Sequence, residues 1–280
     1  SRCGGCLGVT GLQQEIVSVF DTGLSEYSGV EGTKPHEDLD QVGNPTGRRA
    51  WTSFGCCGLE NALTNDTTYH GTVVTGLIAG DPQQNEIPGA KDGSGFFRGT
   101  GIAPGVRFGM TRMAYAGALG SNMSDSALAE ATGRVFNSGA RYQNNSWNFK
   151  PPNPQTAPLT DPAYTYDLVA RKYDILVRDA KVGNGEEPSS QNPMSIVFSV
   201  GNIRNVDPNR DDLHSEVRSP ATAKNVISVG ASGLATWDIL AVPCQTAISI
   251  RDVPSLSRRS VAYGSGRIKP DLVAPGRSTV

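Results

Sequence analysis

The chain has 280 residues, 37% of them apolar, with 25 lysines and arginines against 27 aspartates and glutamates. That suits one large α/β domain or two small ones, and the near-neutral balance offers neither a basic face for nucleic acid nor an acidic tail. No apolar run reaches the roughly eighteen residues of a membrane span, and the polar opening Ser1-Arg2-Cys3 is no signal peptide.

In chain order, short apolar β-like runs alternate with helical segments. Ile16 to Phe20 reads as a buried strand running into the turn Asp21-Thr22-Gly23. Residues 31–66 read as a loop, 71–79 as a helix of small residues, and 81–105 as a second loop. Val106 to Met113 is a predicted strand. A helix follows from Ser124 to Gly139: Ser124 caps it, Leu128, Ala131 and Val135 share a face, and Gly139 ends it. Gln143 to Trp147 is the next strand, and the Pro-rich stretch 148–160 is a loop. Asp161-Pro162 opens a long helix with Gly183 past its end. Ser195 to Val200 and Val226 to Gly230 are two further strands.

Strands that alternate with helices are parallel strands joined by crossovers. The expected fold is therefore a doubly wound α/β domain over residues 1–280, with a mainly parallel central sheet and helices on both faces. Chemistry in such sheets gathers at the carboxyl ends of the strands. Asp21, Asn145-Ser146-Trp147 and Gly201-Asn202 all fall at such ends.

The chain has three histidines: His36, His70 and His214. His70 stands before Gly-Thr and a run of small residues, which places its ring at a helix start facing a cleft. Imidazole titrates near neutral pH and suits general-base work, but a base needs a carboxylate to fix its tautomer. Asp21, at the end of a buried strand, is that carboxylate, and the pairing would also meet the cost of burying it. A carboxylate oxygen about 2.6–3.2 Å from a ring nitrogen is expected.

The five cysteines, Cys3, Cys6, Cys56, Cys57 and Cys244, allow two readings. One or two disulfides could tie down the N-terminal arm and leave one thiol over, or Cys3/Cys6 and Cys56/Cys57 could ligate zinc. The disulfide reading is preferred and implies an oxidising compartment. Acceptors of the Asn-x-Ser/Thr type at Asn65, Asn122 and Asn144 arise often by chance and carry little weight.

Seven segments, in order, resemble the landmarks of the subtilisin-like serine proteases, the subtilases. IVSVFDTGLSEY is similar to their aspartate motif and His36-Glu37-Asp38-Leu39 to the segment after it; Tyr69 to Gly76 is similar to their histidine motif. Gly101 to Gly105, Val197 to Asn202, Ser219 to Gly230 and Arg267 to Gly276 resemble later landmarks. The flavour of the last two leans toward large secreted bacterial members.

The resemblance implies a triad in the order Asp, His, Ser. Asp21 would orient His70, His70 would activate the serine, and Asn202 would donate its side-chain amide to the oxyanion. Ser146, Trp147 and Asn148, with Gly201, would hold an extended peptide or protein substrate. The family usually has Ser-Leu-Gly where this chain has Ser146-Trp147-Asn148, so the shape of the groove departs from the type. No cofactor is implied for the chemistry. A structural calcium ion is, with Asp38 as one ligand and the loop 81–95, through Asp81 and Asp92, as a source of others.

The serine motif of the family, Gly-Thr-Ser-x-Ala, does not occur in the chain, whose last residues are Arg277-Ser278-Thr279-Val280. Ser265, in Gly264-Ser265-Gly266, is the nearest to a serine elbow and lies in a turn-rich stretch. The nucleophile is therefore expected outside these residues, in a C-terminal fragment or continuation, and the segment alone is expected to be inactive. The alternative is an inactive subtilase-like module that binds peptides without cleaving them. Asp21-Thr22-Gly23 also resembles the aspartic protease signature, but that class needs two such carboxylates in a mostly β fold. A zinc protease would need His-Glu-x-x-His, which is absent from the sequence.

Overall fold

The computed structural model describes residues 15–24, 37–39, 50–57, 66, 68–82, 97, 99–104, 106–115, 118–119, 123–152, 156–181, 192–203, 216–233, 257–263 and 266–276. These residues belong to two compact units, one of Ser1–Asn145 with Arg178–Met194 and one of Ser146–Val177 with Ser195–Val280. His36, His214, Cys3, Cys6, Cys244, Asn65, Asn122, Asp92 and Ser265 lie outside the described residues.

The first unit holds strand β1 (Ile16–Asp21), strand β2 (Ala50–Gly55), helix α1 (His70–Ala79) and strand β3 (Arg107–Arg112). A two-residue hairpin pair follows, β4 (Ala114–Tyr115) and β5 (Ala118–Leu119), then helix α2 (Asp125–Asn137) and strand β6 (Tyr142–Asn145). Its parallel strands lie in the order β6-β1-β3-β2. The chain leaves β1 to one side for β2, returns to β3, and then passes β1 to place β6 on its other flank, so the winding reverses at β1. That reversal makes the arrangement doubly wound and marks β1 as the switch point, where α/β sheets bind ligands.

Burial explains the elements. Val19 and Phe20 are fully buried and Ile16 and Asp21 nearly so, as expected of a central parallel strand covered on both faces. Val19, Phe108 and Met110 form one core with Leu24, Leu39 and Ala79, and Val74 and Ile78 of α1 pack against it. In α2, Leu128, Ala131 and Val135 are buried, Ser124 Oγ accepts from Ala127 N at 3.1 Å, and Gly139 has φ 103°. A serine cap of this kind stabilises a helix by about 1 kcal/mol.

The second unit holds helix α3 (Leu168–Arg178), strand β7 (Ser195–Ser199), strand β8 (Ile227–Ser232) and two short antiparallel strands, β9 (Ser260–Ala262) and β10 (Arg267–Lys269). Strand β11 (Leu272–Pro275) completes a parallel set in the order β11-β8-β7. The chain is thus a doubly wound, mainly parallel α/β protein.

Several predicted elements need correction. Strand β2 lies inside the predicted loop 31–66; it pairs only with β3, and its sequence AWTSFG gives no clear apolar alternation. The long helix predicted from Asp161 is broken. Asp161 Oδ1 caps Ala163 N at 2.9 Å over a short 3₁₀ turn, Thr165 is extended, and α3 starts anew where Asp167 Oδ1 accepts from Ala170 N at 2.8 Å. A second capping aspartate six residues after the first was the missed signal. Strand β6 stops at Asn145, so Trp147 lies beyond it. Cys56 and Cys57 lie side by side as a close pair, while Cys3, Cys6 and Cys244, which both cysteine readings also need, lie outside the described residues. No helix among the described residues is long and apolar enough to cross a membrane.

Candidate active site

The carboxyl end of β1 and the first turn of α1 meet in the first unit. Gly71 permits this: a Cβ there would run into the carbonyl oxygen of Gly23. Just before the helix, Tyr69 is left-handed at φ 59°, a conformation that costs a non-glycine residue about 1–2 kcal/mol. It turns the chain so that His70 heads the helix.

His70 Nδ1 lies 2.7 Å from Asp21 Oδ1. The side chain of Asp21 is 2% exposed and that of His70 53% exposed. Asp21 Oδ1 also accepts from Thr22 N at 2.8 Å, while Oδ2 is buried with no hydrogen-bond partner among the described residues. With Nδ1–H donated to the carboxylate, Nε2 keeps the lone pair, and a half-exposed ring can take a proton there. The pKa of His70 is raised above its ordinary value, first by the hydrogen bond to Asp21, against an opposing effect of burial; the charges of Asp21 and Asp66 add to the rise.

Asp66, buried beside this pair, was not singled out by the sequence. It is 3% exposed, and its carboxylate accepts from Thr22, Thr68 and Thr72. The available signal was an aspartate four residues before His70 amid a cluster of threonines.

The remaining predicted residues lie in the second unit. Gly201 follows β7 with φ 93°, and a Cβ there would meet Asn148 Nδ2 at 2.9 Å and Arg258 Cδ at 3.0 Å. Asn202 is exposed, and its main chain bridges to Ser257. The fully buried Arg258 donates from Nε to Asn202 O at 3.1 Å and from its main-chain N to Gly201 O at 3.2 Å. Asn148 Oδ1 accepts from the Arg218 guanidinium at 3.5 Å. Ser146 is half-buried. Trp147 is buried, with its ring centroid 5.3 Å from that of Phe198 and 6.3 Å from that of Tyr173. Its ring is thus packed inside the second unit rather than presented at the surface.

No group of three or more His, Cys, Asp or Glu side chains gathers as a metal site among the described residues. The main chains of Asp38 and Asp81 are linked, Asp81 N donating to Asp38 O at 2.8 Å, and Asp81 Oδ1 is buried without a hydrogen-bond partner among the described residues. A buried carboxylate oxygen of that kind fits a hard cation.

The chain matches the model of the subtilase family over residues 13–280 and belongs to that family. Among solved structures it is similar to a lanthipeptide protease, at 17% identity and a TM-score of 0.51, covering 94% of this chain and 55% of that one. It is also similar to a cold-adapted subtilisin-like serine proteinase, at 18% identity and a TM-score of 0.50, covering 93% of this chain and 62% of that one. These likenesses show the fold. The chain thus spans little more than half the length of these structures. No curated protein matches it.

Proposed function

We propose that the chain carries the acid–base pair, one oxyanion donor and the substrate-holding segment of a secreted serine endopeptidase. The observation that carries this reading is the 2.7 Å contact between Asp21 Oδ1 and His70 Nδ1 at the switch point of a subtilase-family fold. Asp21 fixes the tautomer and balances the imidazolium. His70 Nε2 takes the proton of a serine hydroxyl as that oxygen attacks the peptide carbonyl, then returns it to the leaving amine. The Asn202 amide stabilises the oxyanion that forms between these steps. The main chain of Ser146, Trp147 and Asn148, next to Gly201, pairs with an extended peptide.

The serine itself is contributed from outside the 280 residues, by a C-terminal segment. In support, Tyr69, just before α1, and Val73 and Leu77 on it form an exposed apolar row, a surface that further chain would cover. A disulfide between the adjacent Cys56 and Cys57, which lie as a close pair, would suit an oxidising, extracellular setting. Asp38 and Asp81 contribute to a structural calcium site, which excess EDTA would reveal as a lowered melting temperature.

The test is hydrolysis of a peptide anilide and labelling by a fluorophosphonate, for residues 1–280 with and without the C-terminal segment. Labelling and turnover only with the segment are expected. Stoichiometric labelling of residues 1–280 alone would place the nucleophile inside this chain. A completed protein that neither labels nor cleaves would make it a peptide-binding module.

A further inference from the structure

Beside the proposed base lies a second buried carboxylate, Asp66. Asp66 Oδ1 accepts from Thr22 Oγ1 at 2.7 Å, Thr68 Oγ1 at 3.1 Å and Thr68 N at 3.3 Å. Its Oδ2 accepts from Thr72 N and Thr72 Oγ1, both at 2.9 Å. Five donors among the described residues thus converge on one carboxylate, from the end of β1, from the turn before α1 and from the first turn of α1.

Thr22 is the link to the reacting pair. Its hydroxyl has one proton and two carboxylates within reach: Asp66 Oδ1 at 2.7 Å and Asp21 Oδ1 at 3.3 Å. The shorter contact takes the proton. Gly71 N, at 2.9 Å, then donates into the same hydroxyl oxygen. The proton of Thr22 is thereby drawn away from Asp21. Asp21 Oδ1 is left to the Thr22 main-chain N–H and to His70, and its pull on the imidazole is undiluted.

We propose that Asp66, acting through Thr22, is a positioning residue of the site: it clamps the first turn of α1 onto the end of β1 and keeps Asp21 Oδ1 free for His70. This rests on the reading of Asp21 and His70 as the orienting acid and the base. The negative charge of Asp66 also favours protonated His70, in the same sense as Asp21. A helix cap with no other task would stabilise the fold and leave the base unaltered.

The experiment uses the complete, serine-bearing protein and four variants: Asp66→Asn, Thr22→Val, Thr22→Ser and the double variant Asp66→Asn/Thr22→Val. Asp66→Asn keeps the shape and removes the charge. It should lower kcat about 10- to 100-fold with KM unchanged, the scale of a lost buried charge-assisted hydrogen bond. It should also move the acid limb of the kcat/KM profile to lower pH. Thr22→Val should lower kcat to a similar extent, Thr22→Ser should restore it, and the double variant should be no worse than the poorer single one. The inference is overturned if Asp66→Asn lowers only the melting temperature, with kcat and the acid limb unmoved, or if Thr22→Val is silent. Should Asp66→Asn fail to fold, the Thr22→Val and Thr22→Ser pair decides alone. Asp21→Asn and His70→Ala run alongside: if they abolish activity while Asp66→Asn does not, the clamp is wrong and the base assignment stands. If they leave activity intact, the base assignment is wrong and the clamp falls with it.

Discussion

The two places where candidate residues gather are built differently. At the end of β1, side chain meets side chain: a carboxylate on an imidazole, and a hydroxyl between two carboxylates. At the end of β7, the main chain is what is held: the buried Arg258 bonds the carbonyls of Gly201 and Asn202, and Gly201 has no room for a Cβ. The tasks proposed for the two sites explain the contrast. A proton-transferring pair needs its own atoms oriented and its charge balanced, whereas an oxyanion donor needs only a rigid stem from which a neutral amide projects.

The largest effects should come from breaking the side-chain pair. In the complete protein, His70→Ala should lower kcat about 10⁶-fold and Asp21→Asn about 10⁴-fold, each with a much smaller change in KM. Steady-state hydrolysis of a peptide anilide reads both. A His70→Ala variant that keeps within tenfold of the parent rate would remove imidazole from the mechanism.

The second site should answer less strongly. Asn202→Ala should lower kcat about 10²- to 10³-fold, the usual loss for one oxyanion donor. An unaltered kcat with a raised KM would make Asn202 a ground-state contact instead.

The placement of Asp21 and His70 was legible from local sequence, because strand ends and helix starts are written there. Asp21 ends an apolar run and His70 begins a small-residue one. Asp66 was not legible, because its role depends on a contact with Thr22, 44 residues away in sequence. Strand β2 escaped for a related reason: an edge strand bonded to one neighbour needs little apolar patterning, so AWTSFG resembles a loop. The break before α3 shows a limit of periodicity. Asp161 and Asp167 both cap, and only the tertiary bond from Ser219 Oγ to Asp167 Oδ1, at 2.6 Å, marks the second as the start of the long helix.

A test of stability separates backbone clamping from side-chain pairing. Gly201→Ala forces a side chain into left-handed backbone and against Asn148 and Arg258. It should destabilise the protein by about 2 kcal/mol, read as a lowered denaturant midpoint. A variant of unaltered stability would mean that the turn after β7 relaxes freely, and the contrast between the two sites would lose its second half.

The smallest and most discriminating effect is on pH dependence, because only one of the two sites holds a group that titrates near neutrality by assignment. The bond from His70 Nδ1 to Asp21 raises the pKa of His70 above its ordinary value, against the effect of burial. The neutral ring is the base, so the acid limb of kcat/KM should fall above pH 6.5, the ordinary histidine value. Asp21→Asn removes the main cause of the rise and should carry the limb to lower pH. Asn202 does not titrate, and Asn202→Ala should lower kcat/KM by the same factor at every pH. Stability runs the other way. A histidine whose pKa is raised on folding contributes stability that is complete below its unfolded value of about 6.5 and is lost as pH rises through the folded value. The melting-temperature advantage of the parent over His70→Gln should therefore shrink from pH 5.5 to pH 9, by a modest amount because the ring is 53% exposed and solvent screens it. Activity should rise over the range in which that advantage falls. If both limbs move together, or if Asn202→Ala shifts the acid limb, the titrating base is not His70.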